Sequence, residues 1–493
     1  MRVTSNTVRD PRRWWILLVL CLTLLVLVVD STVLNLAIPA LMRDLGATPA
    51  DIQWILDSYV LVFAGLLLTV GSLSDRYGRR RALIAGLVVF GLASGLATLA
   101  TEPWQLIGAR ALMGVGGSVL MPSTLSILIT VFDEDERRKA IAAWSSVAMV
   151  GVIAGPTLGG VLLEHYYWGS VFLLNVPVAI VAVIAALVLM PETYGSSRRL
   201  DPVGVVLSVV GMSSLVWAVI TFPADGWNLG LVAAAVLGLG GFVVWELRTA
   251  HPMLPLALFR DRAFSGACAS IVLLAFGSGA LMLALTQYLQ FVLGYDPLRA
   301  GIALLPYVFA AMVFNGVGAG LGKKVSNRAL ITTGLAVMAG GFGLLSTLDS
   351  SDGYLLLVSS LIVMGVGGGL AGPSAYTTLM GAVPPEHAGV GSALNDTVQQ
   401  VGMALSIAIL GSVLASGYTA AMPESAPAAA RESVNVALDS GVPALAEAGK
   451  EAFLSAMSVG SLVGLGFAVA AAVVALLVLP RQRVTEVSPM PTH

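Results

Sequence analysis

"MGVGGSVLMPS", Met113 to Ser123, returns as "MGVGGGLAGPS", Met364 to Ser374, after 251 residues. A fainter echo pairs "GSLSDRYGRRRALI", from Gly71, with "GAGLGKKVSNRALI", from Gly318, after 247. Segments that recur in the same order at nearly the same spacing mean that a large unit has been duplicated, and a duplication sets the architecture before any motif is read.

The units are built of membrane helices. The chain is 57% hydrophobic and 11% charged, a balance far from that of a soluble domain. A helix needs about 20 apolar residues to cross the hydrocarbon core. Windows of that kind fall near 14–41, 52–74, 82–100, 104–130, 139–163 and 170–190, then near 203–222 and 229–247. Six more lie near 264–291, 299–321, 329–347, 354–380, 390–415 and 457–479. The first window is too long for a cleaved signal sequence and lacks a small-residue cleavage pattern. The repeat divides these fourteen windows into an N-terminal six-helix bundle (1–195), an inserted helix pair with flanking linkers (196–262) and a C-terminal six-helix bundle (263–480). The segment 416–456, rich in Ala, Pro and Ser with mixed charge, reads as an external loop with room for a short amphipathic helix, and 481–493 as a cytoplasmic tail. Of 26 Lys and Arg residues, 21 fall on the side of the N-terminus. Only Arg43, Arg299, Arg431 and Lys450 fall on the other side, and Arg110 lies within a span. Positive residues stay in the cytoplasm, so both termini are expected there. The only cysteines, Cys21 and Cys268, sit in apolar windows, which argues against a disulfide framework or thiolate metal site.

Charges within the spans are costly and call for a use. Asp30 lies 16 residues from Trp14 and 11 from Leu41, so the helical rise puts it about 24 Å from one face and about 16 Å from the other. The same arithmetic places Asp57 about 8 Å below the outer end of the second span and Asp396 about 10 Å above the inner end of the thirteenth. Glu164 closes the fifth span on its outer side. Arg110 needs a carboxylate partner, and both Asp30 and Asp57 lie at a suitable depth. Burial disfavours the charged form of a carboxylate, so such a group can exchange a proton for a cation. Asp30 is the expected main proton site, with Asp57 and Asp396 assisting in cation recognition or proton transfer.

Motif by motif, the chain then resembles a known family. Gly71, Leu73, Asp75, Arg76, Gly78, Arg79 and Arg80 match the cytoplasmic loop motif G-x-L-a-D-r-x-G-r-k of the major facilitator superfamily. There the glycines allow a tight turn and close helix approach. Asp75 is placed to accept charge-assisted bonds from the basic residues or from a helix N-terminus of the other repeat, as an inner gate. Arg110 and Gly114 resemble the family's R-x-x-x-G motif. Gly151, Gly155, Pro156, Gly159 and Gly160 resemble the G-x-x-x-G-P-x-x-G-G motif of its antiporters, whose small residues let helices pack closely. "VVDSTVLNLAIPAL" and "WILDSYVL" complete a likeness to the fourteen-helix drug/proton antiporters, strongest over residues 14–178. Within that group the chain is similar to bacterial exporters of quaternary ammonium compounds and fluoroquinolones. Where some of those carry glutamates in the thirteenth span, this chain has Asn395 and Asp396.

The resemblance implies an all-α major facilitator fold, alternating access between two bundles, and a monomer in the bacterial cytoplasmic membrane. The implied activity is export of a lipophilic, cationic drug or dye against protons, with no cofactor and no nucleic acid. Aromatic residues suited to a bound cation are Tyr59, Trp144, Trp217, Phe276, Tyr288 and Tyr376, and polar candidates are Asn35, Gln287, Gln290 and Asn315. A dedicated exporter of one antibiotic or metabolite is the alternative, and an uptake symporter a weaker one. No H-E-x-x-H, nucleotide-binding loop or nucleophile–base pair suggests an enzyme.

Overall fold

The structure is a computed structural model that describes residues 11–195, 201–249, 252, 254, 256–295, 297–322, 324–348, 354–384, 387–438 and 440–480. The side chains of some helical residues, among them Asn35 and Pro156, lie outside the described residues, as do the tail 481–493 and much of the linkers around the inserted pair. In the first repeat, spans are formed by α1 (Arg13–Asp44), α2 (Pro49–Tyr77), α3 (Arg79–Thr98), α4 (Pro103–Val131), α5 (Glu134–His165) and the broken pair α6 (Ser170–Leu173) and α7 (Asn175–Leu189). The inserted pair is α8 (Pro202–Asp225) and α9 (Leu229–Arg248). The second repeat holds α10 (Arg262–Gln287), which runs into a π-helical turn at Tyr288–Val292, then α11 (Pro297–Ala303), α12 (Leu305–Leu321), α13 (Asn327–Ser346), α14 (Tyr354–Gly381) and α15 (Ala388–Ala421). Short α16 (Ala428–Glu432) and α17 (Val434–Leu438) precede the last span, α18 (Pro443–Val478). Counting α6 with α7 and α11 with α12, fourteen helical segments match the fourteen windows among the described residues, and eleven of them are long and apolar enough to cross a membrane.

Local chemistry sets the ends. Thr48 and Asp51 close a capping box over α2, with Thr48 N donating to Asp51 Oδ2 at 2.9 Å and Asp51 N donating to Thr48 Oγ1 at 3.2 Å. Gly78 turns the chain between α2 and α3 at φ +106°, a region open mainly to glycine, and a Cβ there would fall 2.6 Å from Glu192 Oε1. The loop expected over 416–456 narrows to the stretch between Ala421 and Pro443, and the short helix expected within it is matched by two, α16 and α17. α15 runs to Ala421 and α18 begins at Pro443, whose missing N–H suits a first helical turn. The run from Pro443 to Met457 is rich in Ala, with Leu, Glu and Lys450 among the rest, helix formers that extend α18 ahead of its apolar stretch.

The duplication recurs in the packing. In the first repeat a Cβ on Gly114 would meet Tyr59 O, Val62 and Phe63, and one on Gly116 would meet Phe90 and Gly86. In the second, Gly365 would meet Tyr307 O, Ala310 and Ala311, and Gly367 would meet Gly334 and Met338. The glycines match at the 251-residue spacing and their neighbours at 248. Both repeats therefore use small residues of one helix to admit two others at backbone contact.

The chain forms two compact units. The first comprises residues 1–213, 237–255 and 383–396; the second comprises 214–236, 256–382 and 397–493. The expected boundaries at 195 and 262 differ from these in two respects. The inserted pair is shared between the units, because α8 and α9 are each divided along their length, and the start of α15 packs in the first unit although it belongs to the second repeat. Within the first unit α8 crosses α9 where Gly211 meets Gly238, and touches α2 where Ser213 meets Gly65.

Candidate functional site

Asp30 and Arg110 form an ion pair at the heart of the first unit, with Arg110 Nη1 donating to Asp30 Oδ2 at 2.6 Å. Asp30 is 4% and Arg110 2% exposed. The other carboxylate oxygen, Oδ1, accepts from Asn175 Nδ2 at 2.8 Å, and Asn175 also donates to Ser94 Oγ at 3.2 Å. Arg110 Nε donates to Ile55 O at 3.3 Å, and its guanidinium lies 4.4 Å from the centre of the Tyr59 ring. Four helices and the start of α7 thus converge on one charge pair. A buried pair is tolerable when its remaining polar groups are bonded, as here.

α5 sets the position of α1. Its glycines face the residues flanking Asp30: Gly151 abuts Val28, Gly155 abuts Thr32 and Val29 O, and Gly159 abuts Val33 and Leu36. Gly160 faces open space, and the Pro156 side chain lies outside the described residues. A Cβ on Gly155 would lie 1.8 Å from Thr32 Oγ1 and 2.9 Å from its Cβ. Gly155→Ala is therefore expected to push α1 away and destabilise the protein by about 1–3 kcal/mol, measured as thermal unfolding in detergent. Adding Thr32→Ala removes the nearest atom and should recover part of the loss; equal stability of Gly155→Ala and wild type would show that the two helices have room to spare.

A second cluster surrounds Asp75. Arg79 Nε and Nη2 donate to Asp75 Oδ1 at 2.9 and 2.7 Å. Two backbone groups opening α15 complete the shell: Gly389 N donates to Oδ1 at 3.0 Å and Val390 N to Oδ2 at 3.2 Å. Gly389 is required by the approach, since a Cβ there would fall 2.6 Å from Asp75 Oδ1, and one on Gly71 would strike Ala393 Cβ at 2.4 Å. Glu192 binds the adjoining turn, accepting from Arg80 N at 3.0 Å and lying 3.7 Å from Arg80 Nε and 3.6 Å from Arg81 Nε. Arg76 takes no part in the Asp75 shell and lies over the Tyr77 ring at 5.3 Å.

Of the other expected residues, Tyr59 alone joins the Asp30 cluster among the described contacts, under the Arg110 guanidinium. Asp396 is 3% exposed; Asn395 Nδ2 donates to its Oδ1 at 3.0 Å, and Oδ2 accepts no hydrogen bond among the described residues. Asp57 is half-buried, with the Gln53 side chain bonded to it, and Glu164 is exposed. Of the aromatic residues, Tyr59 is covered by Arg110, Trp144 is buried and donates to Thr124 Oγ1 at 3.2 Å, and Phe276 is buried in a stack on Phe467 at 4.1 Å. Tyr288 is buried on the π-helical turn with Gln287 and Gln290 half-buried beside it. Asn315 is buried, Trp217 is 39% exposed, and Tyr376 donates to Gln399 Oε1 at 3.3 Å. The Asn35 side chain lies outside the described residues. Sequence reasoning passed over Asn175, Ser94, Glu192 and Gly389. Asn175 carried a usable signal, a lone amide in an apolar run; backbone donors such as Gly389 N carry none.

Comparison with known proteins agrees with this architecture. The profile of the Major Facilitator Superfamily matches residues 20–407. The chain is 36% identical over 421 residues to the multidrug efflux pump LfrA of Mycolicibacterium smegmatis, covering 84% of each. It is 34% identical over 421 residues to the tetracenomycin C resistance and export protein of Streptomyces glaucescens, covering 84% of this chain and 78% of that one. The crystal structure of the human organic anion transporter MFSD10 matches with a TM-score of 0.62 at 14% identity, covering 93% of this chain and 100% of that one, a likeness of fold. With the duplicated helix crossings, these matches establish that the chain belongs to the Major Facilitator Superfamily.

Proposed function

We propose that the protein exports lipophilic, cationic small molecules across the bacterial cytoplasmic membrane in exchange for protons, acting as a monomer by alternating access. The observation that carries this reading is the buried Asp30–Arg110–Asn175 cluster, a charge pair whose balance a single proton changes. In this scheme a proton entering from the outside neutralises Asp30 and frees Arg110, which favours release of a cationic substrate. Loss of that proton toward the cytoplasm restores the pair and resets the site. Asp396, buried with one oxygen lacking a donor among the described residues, assists in proton transfer or cation recognition, and Asp57 is the more accessible acid. The Asp75 clasp holds the cytoplasmic side shut, since its backbone partners open α15. The relatives support export as the direction: one is a multidrug efflux pump and another a resistance and export protein.

Ethidium efflux in everted vesicles provides the test. Transport is expected to follow an imposed proton gradient and to stop on adding an uncoupler with ATP still present. Efflux that survives collapse of the gradient and stops on ATP depletion would overturn proton coupling. The tetracenomycin relative favours a second reading, export of one antibiotic. In that case neither ethidium, tetraphenylphosphonium nor a fluoroquinolone would be transported under the imposed gradient.

A further inference from the structure

We propose that the end of α13 and the first turns of α18 form a binding site for a lipophilic organic cation, separate from the Asp30 cluster. A cavity of about 370 Å³ lies between them, walled on α18 by Glu451, Leu454, Ser455 and Ser458 and on α13 by Ser346, Thr347 and Leu348. The residues of α18 recur at steps of three and four, so one face of that helix supplies them. All of the wall belongs to the second unit. The distribution of basic residues places these helix ends on the side away from the cytoplasm. The inference concerns binding from that side and stands independently of the export reading.

The polar part of the wall offers acceptors. Ser346 Oγ donates to Gly343 O at 2.7 Å, Thr347 Oγ1 to Leu344 O at 2.8 Å and Ser458 Oγ to Ser346 O at 2.6 Å. With their protons committed to carbonyls, these hydroxyls have only lone pairs left to give. The N–H groups of Thr347 and Leu348 are spent in the same way, on Leu344 O at 3.2 Å and Leu345 O at 3.3 Å. α13 ends at Ser346, and the carbonyl end of a helix carries partial negative charge. Glu451 adds a full negative charge, and Lys450, its neighbour in sequence, is not part of the wall. An anion would meet repulsion here, whereas a cation meets acceptors. Leu348 and Leu454 are each 6% exposed while Glu451 and Ser455 are exposed, which sets an apolar wall behind a polar rim. A bare metal ion needs several oxygens converging at about 2.0–2.6 Å. Among the described residues no group of three or more His, Cys, Asp or Glu side chains could hold one. The volume instead lies within the range of small-molecule sites, about 300–1,000 Å³. An organic cation with an apolar body fits both the size and the lining.

Labelling of Ser455→Cys by N-ethylmaleimide in the purified full-length protein, read by mass spectrometry, tests the assignment, with size-exclusion profiles as the check on folding. Cys21 and Cys268 are buried, and wild type supplies their background. Tetraphenylphosphonium should slow the labelling, whereas tetraphenylborate, of the same shape and opposite charge, should not. Adding Glu451→Gln should raise the half-protecting concentration about fivefold, and Glu451→Asp should keep it within about twofold. Val436→Cys, at an exposed position on α17 outside the cavity wall, should label equally fast with and without either ion. The proposal is overturned if tetraphenylborate protects as well as tetraphenylphosphonium, or if Glu451→Gln leaves the half-protecting concentration unchanged. It is overturned equally if Val436→Cys is slowed as much as Ser455→Cys, which would mark a change throughout the protein. Loss of ethidium efflux would overturn the export reading alone, since protection is measured without transport.

Discussion

Cells carrying Asp30→Asn are expected to show no more resistance to lipophilic cations than cells with an empty vector, and the purified variant should release no protons when substrate is added. The amide has nearly the shape of the carboxylate, and its oxygen can still accept from Arg110 or Asn175, which now meet at Asp30. It cannot carry the negative charge that balances Arg110, nor can it titrate. Removing one member of a buried pair commonly costs about 3–5 kcal/mol because the other charge stays behind. The one hydrogen bond that the amide oxygen retains should keep the loss in melting experiments toward the lower end of that range. A structural pair and a coupling pair can then be separated by replacing both charges with apolar residues, Asp30→Leu with Arg110→Met. Such replacements are often neutral or stabilising. If the pair only ties helices together, the double variant should fold and transport; if it couples protons to export, the double variant should fold and fail.

How much of this arrangement the sequence disclosed depends on the range of each interaction. The duplication was plain because helix crossings at Gly114, Gly116, Gly365 and Gly367 demand the same small residues in each repeat. Asp30, Asp57 and Arg110 stood out because charges are rare in apolar windows, but the choice between the two acids turned on which lies beside α4, a matter of packing. The gate motif announced Asp75 through its flanking glycines, yet its partners in α15 are backbone amides over 300 residues away, and no side chain marks them. Aromatic residues were the least legible. Burial and exposure look alike in a uniformly apolar helix, so Phe276 and Trp144, equal on paper to Tyr376, proved to be packed in helix contacts.

Asp75→Asn should slow export at least tenfold while leaving the equilibrium affinity for substrate within about threefold of wild type. Asp75 accepts four hydrogen bonds, two from Arg79 and one each from Gly389 N and Val390 N, and it can do so because both oxygens are acceptors. An asparagine has one acceptor oxygen, so its NH₂ group must face either the Arg79 guanidinium or an amide N–H, and donor meets donor. The buried Arg79 would lose its counter-charge at the same time. The closed clasp is therefore weakened, and every transport cycle that passes through it is slowed, whereas the Asp30 cluster is untouched. Gly389→Ala reaches the same contact from the other side, because its Cβ would fall 2.6 Å from Asp75 Oδ1. The two changes should be non-additive, the double variant being little slower than either single one, as expected for residues that share a contact. A large loss of affinity in Asp75→Asn, with the conformational equilibrium unchanged, would move Asp75 from the gate to the binding site. Additive losses would mean that Gly389 acts on turnover by a route separate from the clasp.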